Sequence, residues 1–165
     1  MMRSSGYIDE NLVKNSVLAC FLLSSFTHRY EELTARTLSP DLMKILLVLP
    51  IVWHKSSCDA VRKKNTSSSL RSVVLENPVL RTGIQSRIDE LAPLSLQALN
   101  LACASDLLKR HMIDGIPHVS SCFSRWPRGS KPTQAPPEMM QAIERLAFWF
   151  KENSTAEIFS LLLRE

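Results

Sequence analysis

The stretch from Ile45 to Trp53, ILLVLPIVW, is the feature that most constrains how this chain folds. All of its residues are apolar, and a basic and polar segment that starts at His54 and Lys55 follows directly. A helix that spans a membrane needs about 20 apolar residues, and this run has roughly half of that number. The run is therefore expected to be buried in the core of a folded domain.

The residues around this run predict a helix with a bend in it. Ser39 is a good N-cap, Pro40 suits the first helical position, and Asp41 complements the helix dipole in the first turn. Pro50 removes one backbone donor, which predicts that the helix kinks or ends near Leu49. The chain would then change direction just before the basic segment.

Apolar residues at helical spacing dominate the rest of the chain. Only four glycines occur among 165 residues, which disfavours a sandwich or barrel with many tight turns. We predict a mainly α protein, a single compact helical domain over residues 15–165 that follows a flexible segment at 1–14. Helices are expected at 15–33, at 70–77, in two pieces separated by Pro93 between 78 and 110, at 136–153, and from Ser154, which forms a capping box with Glu157. In the helix at 136–153, the residues expected to face inward are Met139, Ile143, Leu146, Ala147 and Phe150.

A small β-hairpin is predicted after the fourth of these helices. Asp114 and Gly115 form a turn pair between two short apolar or alternating segments, and Pro117 would have to lie on an edge strand. A helix followed by a hairpin is also the outline of a winged helix-turn-helix. The residues at about 124–136, rich in Pro, Gly and Ser, then predict an exposed, mobile, basic loop.

Positive charge is concentrated in two regions of the chain. From Trp53 to Arg87 there are seven Lys or Arg and two acids, and from Lys109 to Lys131 there are five and one, in a chain whose net charge is +4. Such clustering is typical of a surface that binds nucleic acid or an acidic partner. It is equally compatible with ordinary solvated surfaces, and both interpretations stay open.

The residues that could carry out chemistry form no recognisable catalytic set. There is no Gly-rich phosphate loop, and His54 and Cys58 supply only two of the four ligands of a zinc site. An enzyme that used Cys58 and His54 would need Cys58 to be an accessible thiol of low pKa. We therefore predict no enzyme, no cofactor and no metal.

The N-terminus lacks the pattern of a secretory signal, so a cytoplasmic protein with reduced cysteines and no membrane contact is expected.

Several strings, in their order along the chain, resemble a known family. They are NSVLACFLLSSFTHRYEE, LPIVWHKSS, the long segment from LRSVVLENPVL to ALNLACASDLL, and RLAFWFKENSTAEIFSLL near the end. The similarity covers about Asn15 to Leu163, and LPIVWHK is its most distinctive element. In these strings the chain is similar to the middle component of bacterial three-component ABC systems, a family that includes the small subunit of Lamassu-type defence operons.

This resemblance implies a subunit that bridges other proteins and catalyses nothing itself. In such systems a coiled-coil ABC ATPase of the SMC or Rad50 type senses foreign double-stranded DNA, and an effector, often a nuclease, does the damage. The implied process is defence against phages or plasmids. The alternative is a stand-alone winged-helix regulator that would use Leu94 to Phe123 as its recognition unit and bind duplex DNA unaided.

Partner or nucleic-acid contact is predicted for basic residues near the apolar run and in the loop, together with two tryptophans. Trp149 is included because a helix cannot bury three consecutive aromatic residues against one neighbour, so that one of them faces either a partner or another element of the domain. The predicted contact residues are His54, Lys55, Arg62, Lys63, Lys64, Arg71, Arg125, Trp126, Arg128, Lys131 and Trp149.

Overall fold

A long buried helix organises the structure, a computed structural model that describes residues 16–127 and 135–164. This helix, α1 (Ser16–Leu33), is buried at every position from Leu18 to His28. It is surrounded by other elements because its apolar residues occupy all sides and not one stripe. The predicted segment 1–14 lies outside the described residues.

The remaining elements follow the predicted mainly α pattern, which is confirmed. Two long helices, α6 and α7, pack against α1; α4 packs on α7, and α2 and α3 pack on α6. In chain order the elements are α2 (Leu42–Leu46), α3 (Val48–Val52), α4 (Lys55–Arg62), α5 (Leu70–Glu76), a 3-10 turn (Pro78–Leu80), α6 (Ile84–Ala104), β1 (Leu108–Ile113), β2 (Ile116–Ser121), α7 (Pro137–Glu152) and α8 (Thr155–Leu163).

Apart from the partly buried Leu46, the apolar run is buried as predicted, but it forms the end of one short helix and the whole of another. The break lies at Leu47, between α2 and α3, and not near Leu49. The ring of a helical proline clashes with the carbonyl four residues earlier, which here belongs to Leu46, the last residue of α2. The predicted N-cap was also wrong: the side chain of Asp41, not Ser39, accepts the Lys44 N–H at 2.9 Å.

Pro93 does not divide the segment in which two helices were expected. A single helix, α6, runs through it. Pro93 and Asp89, the residue whose carbonyl loses its donor, are both exposed. Water can therefore satisfy that carbonyl, and the proline costs α6 less than it would on a buried face. Because Leu94 continues the same helix, the described residues do not show a helix-turn-helix before the hairpin.

The predicted hairpin is present, and a buried carboxylate attaches it to α1. Asp114 and Gly115 both have positive φ, at 51° and 77°, as the turn requires. The carboxylate of Glu31, 6% exposed, accepts the Ser121 N–H at 2.6 Å and the Ser121 hydroxyl at 3.2 Å. Strand β2 also bonds to the segment before α2, because the Val119 N–H donates to the Pro40 carbonyl. The base of the hairpin is therefore fixed to the core.

The two C-terminal helices begin and pack as the sequence predicts. The inward stripe of α7 is buried, and the capping box between Ser154 and Glu157 starts α8. The threonine that opens α8, Thr155, donates a hydrogen bond to Asp41, which joins α8 to the entry of α2. The described helices include none that is long and apolar enough to cross a membrane.

Candidate partner-binding surfaces

The predicted contact residue His54 lies in a half-buried polar network. Its Nδ1 and the Ser57 hydroxyl are 2.7 Å apart, and the Arg87 guanidinium donates to the same hydroxyl at 3.3 Å. Arg87 also donates to the Pro50 carbonyl at 3.0 Å, which satisfies a backbone acceptor in α3. Burial, and secondarily the Arg87 charge, lowers the pKa of His54, so its ring is neutral at pH 7. His54 joins α4 to α3 and α6 through this network.

The basic residues after His54 are mostly paired with acids of the same surface. Lys55 and Arg62 both contact Asp59, at 3.4 and 2.8 Å, and the hydrogen bond from Arg62 holds the pKa of that carboxyl below its usual range. Lys64 pairs with Glu76 at 2.7 Å. The sequence count already includes Asp59 and Glu76, so the net charge of this region is unchanged, but three of its basic residues have an acidic partner.

Arg71 faces a different surface from these pairs. It lies on α5 and lines a groove of about 530 Å³ against α8, in which Leu161 and Arg164 are opposite lining residues. A second groove, of about 400 Å³, lies between α8 and the start of α6, where Arg81 and Arg164 are the basic lining residues. We call these two grooves, defined by Arg71, Arg81 and Arg164, the arginine grooves.

The tip of the hairpin is aliphatic and exposed. Met112, Ile113 and Ile116 are 64%, 43% and 51% exposed, although such side chains are usually buried. Ile113 pairs with Ile116 across the strands, and Met112 pairs with Pro117 on the opposite face of the hairpin. Apolar residues thus cover both faces of a projecting element, which we call the hairpin tip. Surfaces of this kind commonly mark protein–protein contact.

Sequence reasoning missed the hairpin tip as a candidate site, although a signal was available. An exposed hairpin should alternate apolar and polar residues, whereas Met112 and Ile113 are consecutive and Ile116 follows the turn. Sequence reasoning also missed Arg81 and Arg164, and nothing local distinguishes these two arginines from other surface arginines. Only the packing of α8 brings them to one groove.

The predicted aromatic contacts are largely used within the domain. Trp149, which was expected to face either a partner or another element of the domain, is 1% exposed, and its indole N–H donates to the Ser68 carbonyl at 2.9 Å. Trp126 is half-buried, with its ring centroid 5.0 Å from that of Phe21 and 4.5 Å from that of Phe123. The side chain of Trp149 therefore packs wholly within the domain, and that of Trp126 does so in part.

The predicted basic loop is only partly described. Arg125 is exposed, whereas Arg128 and Lys131 lie outside the described residues. Among the basic residues of the first charged region, Lys63 is exposed and has no acidic partner in the part of the chain that the structure describes.

Cys58 does not have the properties of a nucleophile. It is 2% exposed, and burial raises the pKa of its thiol to about 11. Its Sγ lies 3.6 Å from the Glu138 carbonyl, so the thiol acts as a weak donor between α4 and α7. Over residues 16–127 and 135–164, no three His, Cys, Asp or Glu side chains are grouped so that they could hold a metal ion.

The helical core, the hairpin tip and the arginine grooves define a small helical domain with two kinds of solvent-facing surface. The chain belongs to the family described as ABC-three component (ABC-3C) system Middle Component 3, whose model matches residues 8–163. Neither the comparison with curated proteins nor that with solved structures finds a match.

Membership of this family confirms the resemblance to the middle components of three-component ABC systems. The family suggests that the chain is an accessory subunit of such a system and implies partnering with the other components. The link to Lamassu-type operons stays a prediction.

Proposed function

We propose that this chain bridges two other components of its system. One is a coiled-coil ABC ATPase of the SMC or Rad50 type, and the other is an effector, which we expect to be a nuclease. The process would be defence against phages or plasmids, as in Lamassu-type operons. Double-stranded DNA would be sensed through the assembled complex.

The observation that carries this proposal is the exposed aliphatic hairpin tip. Holding Met112, Ile113 and Ile116 in water forfeits hydrophobic stabilisation that burial against a partner would recover. The tip is held on a well-fixed base, since Glu31 bonds both the backbone and the hydroxyl of Ser121. A preorganised apolar projection of this kind binds without a large ordering cost.

A bridging subunit needs two separate contact surfaces, and α6 carries one near each end. Gln85 lines an arginine groove, whereas Leu96 and Asn100 line a small cleft beside the hairpin. At 1.5 Å per residue, Gln85 and Leu96 lie roughly 16 Å apart along the helix axis. Two partners could therefore occupy the domain at once without competing for the same residues.

The proposal predicts that the double variant Ile113→Ser and Ile116→Ser loses one component. Fully burying an isoleucine is worth about 1.5–3 kcal/mol, and about half of each side chain is still exposed, so each contact is worth roughly 1 kcal/mol. Losing both should weaken binding about 30-fold, because 1.4 kcal/mol is tenfold in affinity.

The test is co-purification of the tagged chain with the products of its neighbouring genes, followed by affinity measurement. A matched control is Leu38→Ser with Leu75→Ser, since those leucines are 54% and 60% exposed and lie away from the tip. The proposal expects the tip variant alone to lose a component. If both variants retained all components equally, the hairpin tip would not be a contact surface for any of them.

A further inference from the structure

The arginine grooves contain positive charge that the domain itself does not neutralise. Arg71, Arg81 and Arg164 form no ion pair within the described residues, although Lys55, Arg62 and Lys64 in the neighbouring region all do. Arg81 is the most restricted of the three, because its Nε is buried from solvent and has no hydrogen-bond partner in that part of the chain. An unsatisfied guanidinium donor is costly, and an incoming acceptor would relieve that cost.

The two grooves lie on either side of α8 and meet at Arg164, which lines both. Their walls also carry apolar residues: Leu163, which is 37% exposed, in one groove, and Ala156 and Leu161 in the other. A ligand that follows both grooves would meet three guanidinium groups separated by apolar contacts. This spacing suits a peptide in which acidic and apolar side chains are interspersed.

The same surface is poorly suited to duplex DNA. Glu157 lines one groove, and its carboxylate, which accepts the Ser154 N–H at 3.2 Å, lowers the net positive charge there. Duplex DNA presents about one charge per 1.7 Å of its axis and is gripped by broad basic surfaces, and three arginines would neutralise few phosphates. Arginine binds a carboxylate through two parallel hydrogen bonds, and three separate guanidinium groups match a small number of acidic side chains.

We infer that the arginine grooves bind an acidic segment of one of the other components of the complex. Arg81 and Arg164 receive carboxylates in the groove beside the start of α6, and Arg71 receives one in the groove between α5 and α8. The apolar walls take the intervening side chains. This inference rests on the proposed bridging role, and it assigns the arginine grooves and the hairpin tip to different contacts.

The test compares two charge-removal variants in the assembled complex. One carries Arg71→Gln, Arg81→Gln and Arg164→Gln; the matched control carries Arg29→Gln, Arg36→Gln and Lys151→Gln, which removes the same formal charge from positions that each have an acidic partner. Each purified chain is titrated against each of the other components separately. Unchanged circular dichroism and thermal unfolding establish that both variants fold.

The expected result is that the groove variant loses at least tenfold in affinity for one component and keeps its affinity for the component lost by the hairpin-tip variant. The wild-type affinity should fall as salt rises, and that fall should be smaller in the groove variant. Photo-crosslinking from position 82, within the groove, should capture a peptide with an excess of Asp and Glu.

Three results would overturn the inference. The groove variant could retain every component, the control could weaken binding equally, or the groove variant could lose only affinity for a labelled DNA duplex. The last result would make this surface a nucleic-acid site. If the wild-type chain recovers no other component, the bridging role and this inference fail together, whereas recovery with an unaffected groove variant overturns the inference alone.

Discussion

The carboxylate of Glu31 should be worth several times more to stability than that of Glu32, its neighbour in sequence. Glu31 is 6% exposed and accepts two hydrogen bonds from Ser121, through the backbone N–H and the hydroxyl. The side chain of Glu32 is 42% exposed, lies 2.8 Å from His28 Nε2 and forms an ion pair at the surface with Arg29. Replacing each glutamate with alanine therefore compares a buried anchor with a solvated pair.

The magnitude follows from the bonds that are lost. A hydrogen bond to a charged group contributes about 1.5–3 kcal/mol, and Glu31→Ala removes two of them and leaves the Ser121 N–H without its acceptor. Removing the carboxylate also removes the cost of keeping it buried, so the net loss should be about 2–4 kcal/mol. Glu32→Ala should cost less than about 1 kcal/mol, as exposed pairs do.

Urea unfolding and thermal unfolding measure this difference. Glu31→Ala should lower the melting temperature by roughly 5–15 °C, at about 2–4 °C per kcal/mol for a domain of this size. Glu31→Gln keeps an acceptor and should fall between that variant and the wild type. Hydrogen exchange at the Ser121 amide should accelerate in Glu31→Ala. Equal destabilisation by the two alanine variants, with Ser121 exchange unchanged, would refute the anchoring role of Glu31.

Three further predictions concern the core and its titrating groups. Trp149→Phe should lower the free energy of unfolding by about 2–3 kcal/mol in urea titrations, because an indole hydrogen bond is lost and a cavity opens. A thiol reagent should modify the exposed Cys122 quickly, whereas Cys58 should react only on unfolding, since burial raises its pKa to about 11. Burial lowers the pKa of His28 and of His54 from the ordinary 6.5 in the folded chain. Below pH 6.5 the unfolded chain therefore binds more protons than the folded chain does. The stability that these two residues contribute should be complete above that pH and should be lost as the pH falls below it.

Each of these predictions has a result that would count against it. A Trp149→Phe chain of unchanged stability that failed to bind a component would return this tryptophan to the interface. Reaction of Cys58 at the rate of an exposed thiol would contradict its burial. A His54→Gln chain that kept the full loss of stability in acid would show that this imidazole is not one of the groups responsible.

The helices were predictable where local signals and burial agree. The Ser154 capping box and the inward stripe of α7 are encoded within a few residues, so the sequence suffices. Pro93 and the apolar run show where this fails. Whether a proline breaks a helix depends on whether the carbonyl four residues earlier, which loses its N–H donor, faces water. For Pro93, the packing of α6 on α1 decides this.

The candidate surfaces were less predictable because they depend on residues distant in sequence. A count of charges between Trp53 and Arg87 indicated one basic patch, but Asp59 and Glu76 pair with several of those residues. The unpaired arginines instead gather around α8, about 90 residues later in the chain than Arg71. The surroundings of Trp149 also depend on distant residues, because its indole N–H donates to the Ser68 carbonyl, 81 residues earlier in the chain.

The most direct test of the bridging role is to ask whether the two other components associate without this chain. The components should be co-expressed from the neighbouring genes, with this chain present or omitted, and the ATPase should be recovered by its own tag. The account predicts that the second component is recovered with the ATPase only when this chain is present, in one particle of defined mass. Recovery of the two components together in its absence would contradict the bridging role, as would recovery of this chain alone from every preparation.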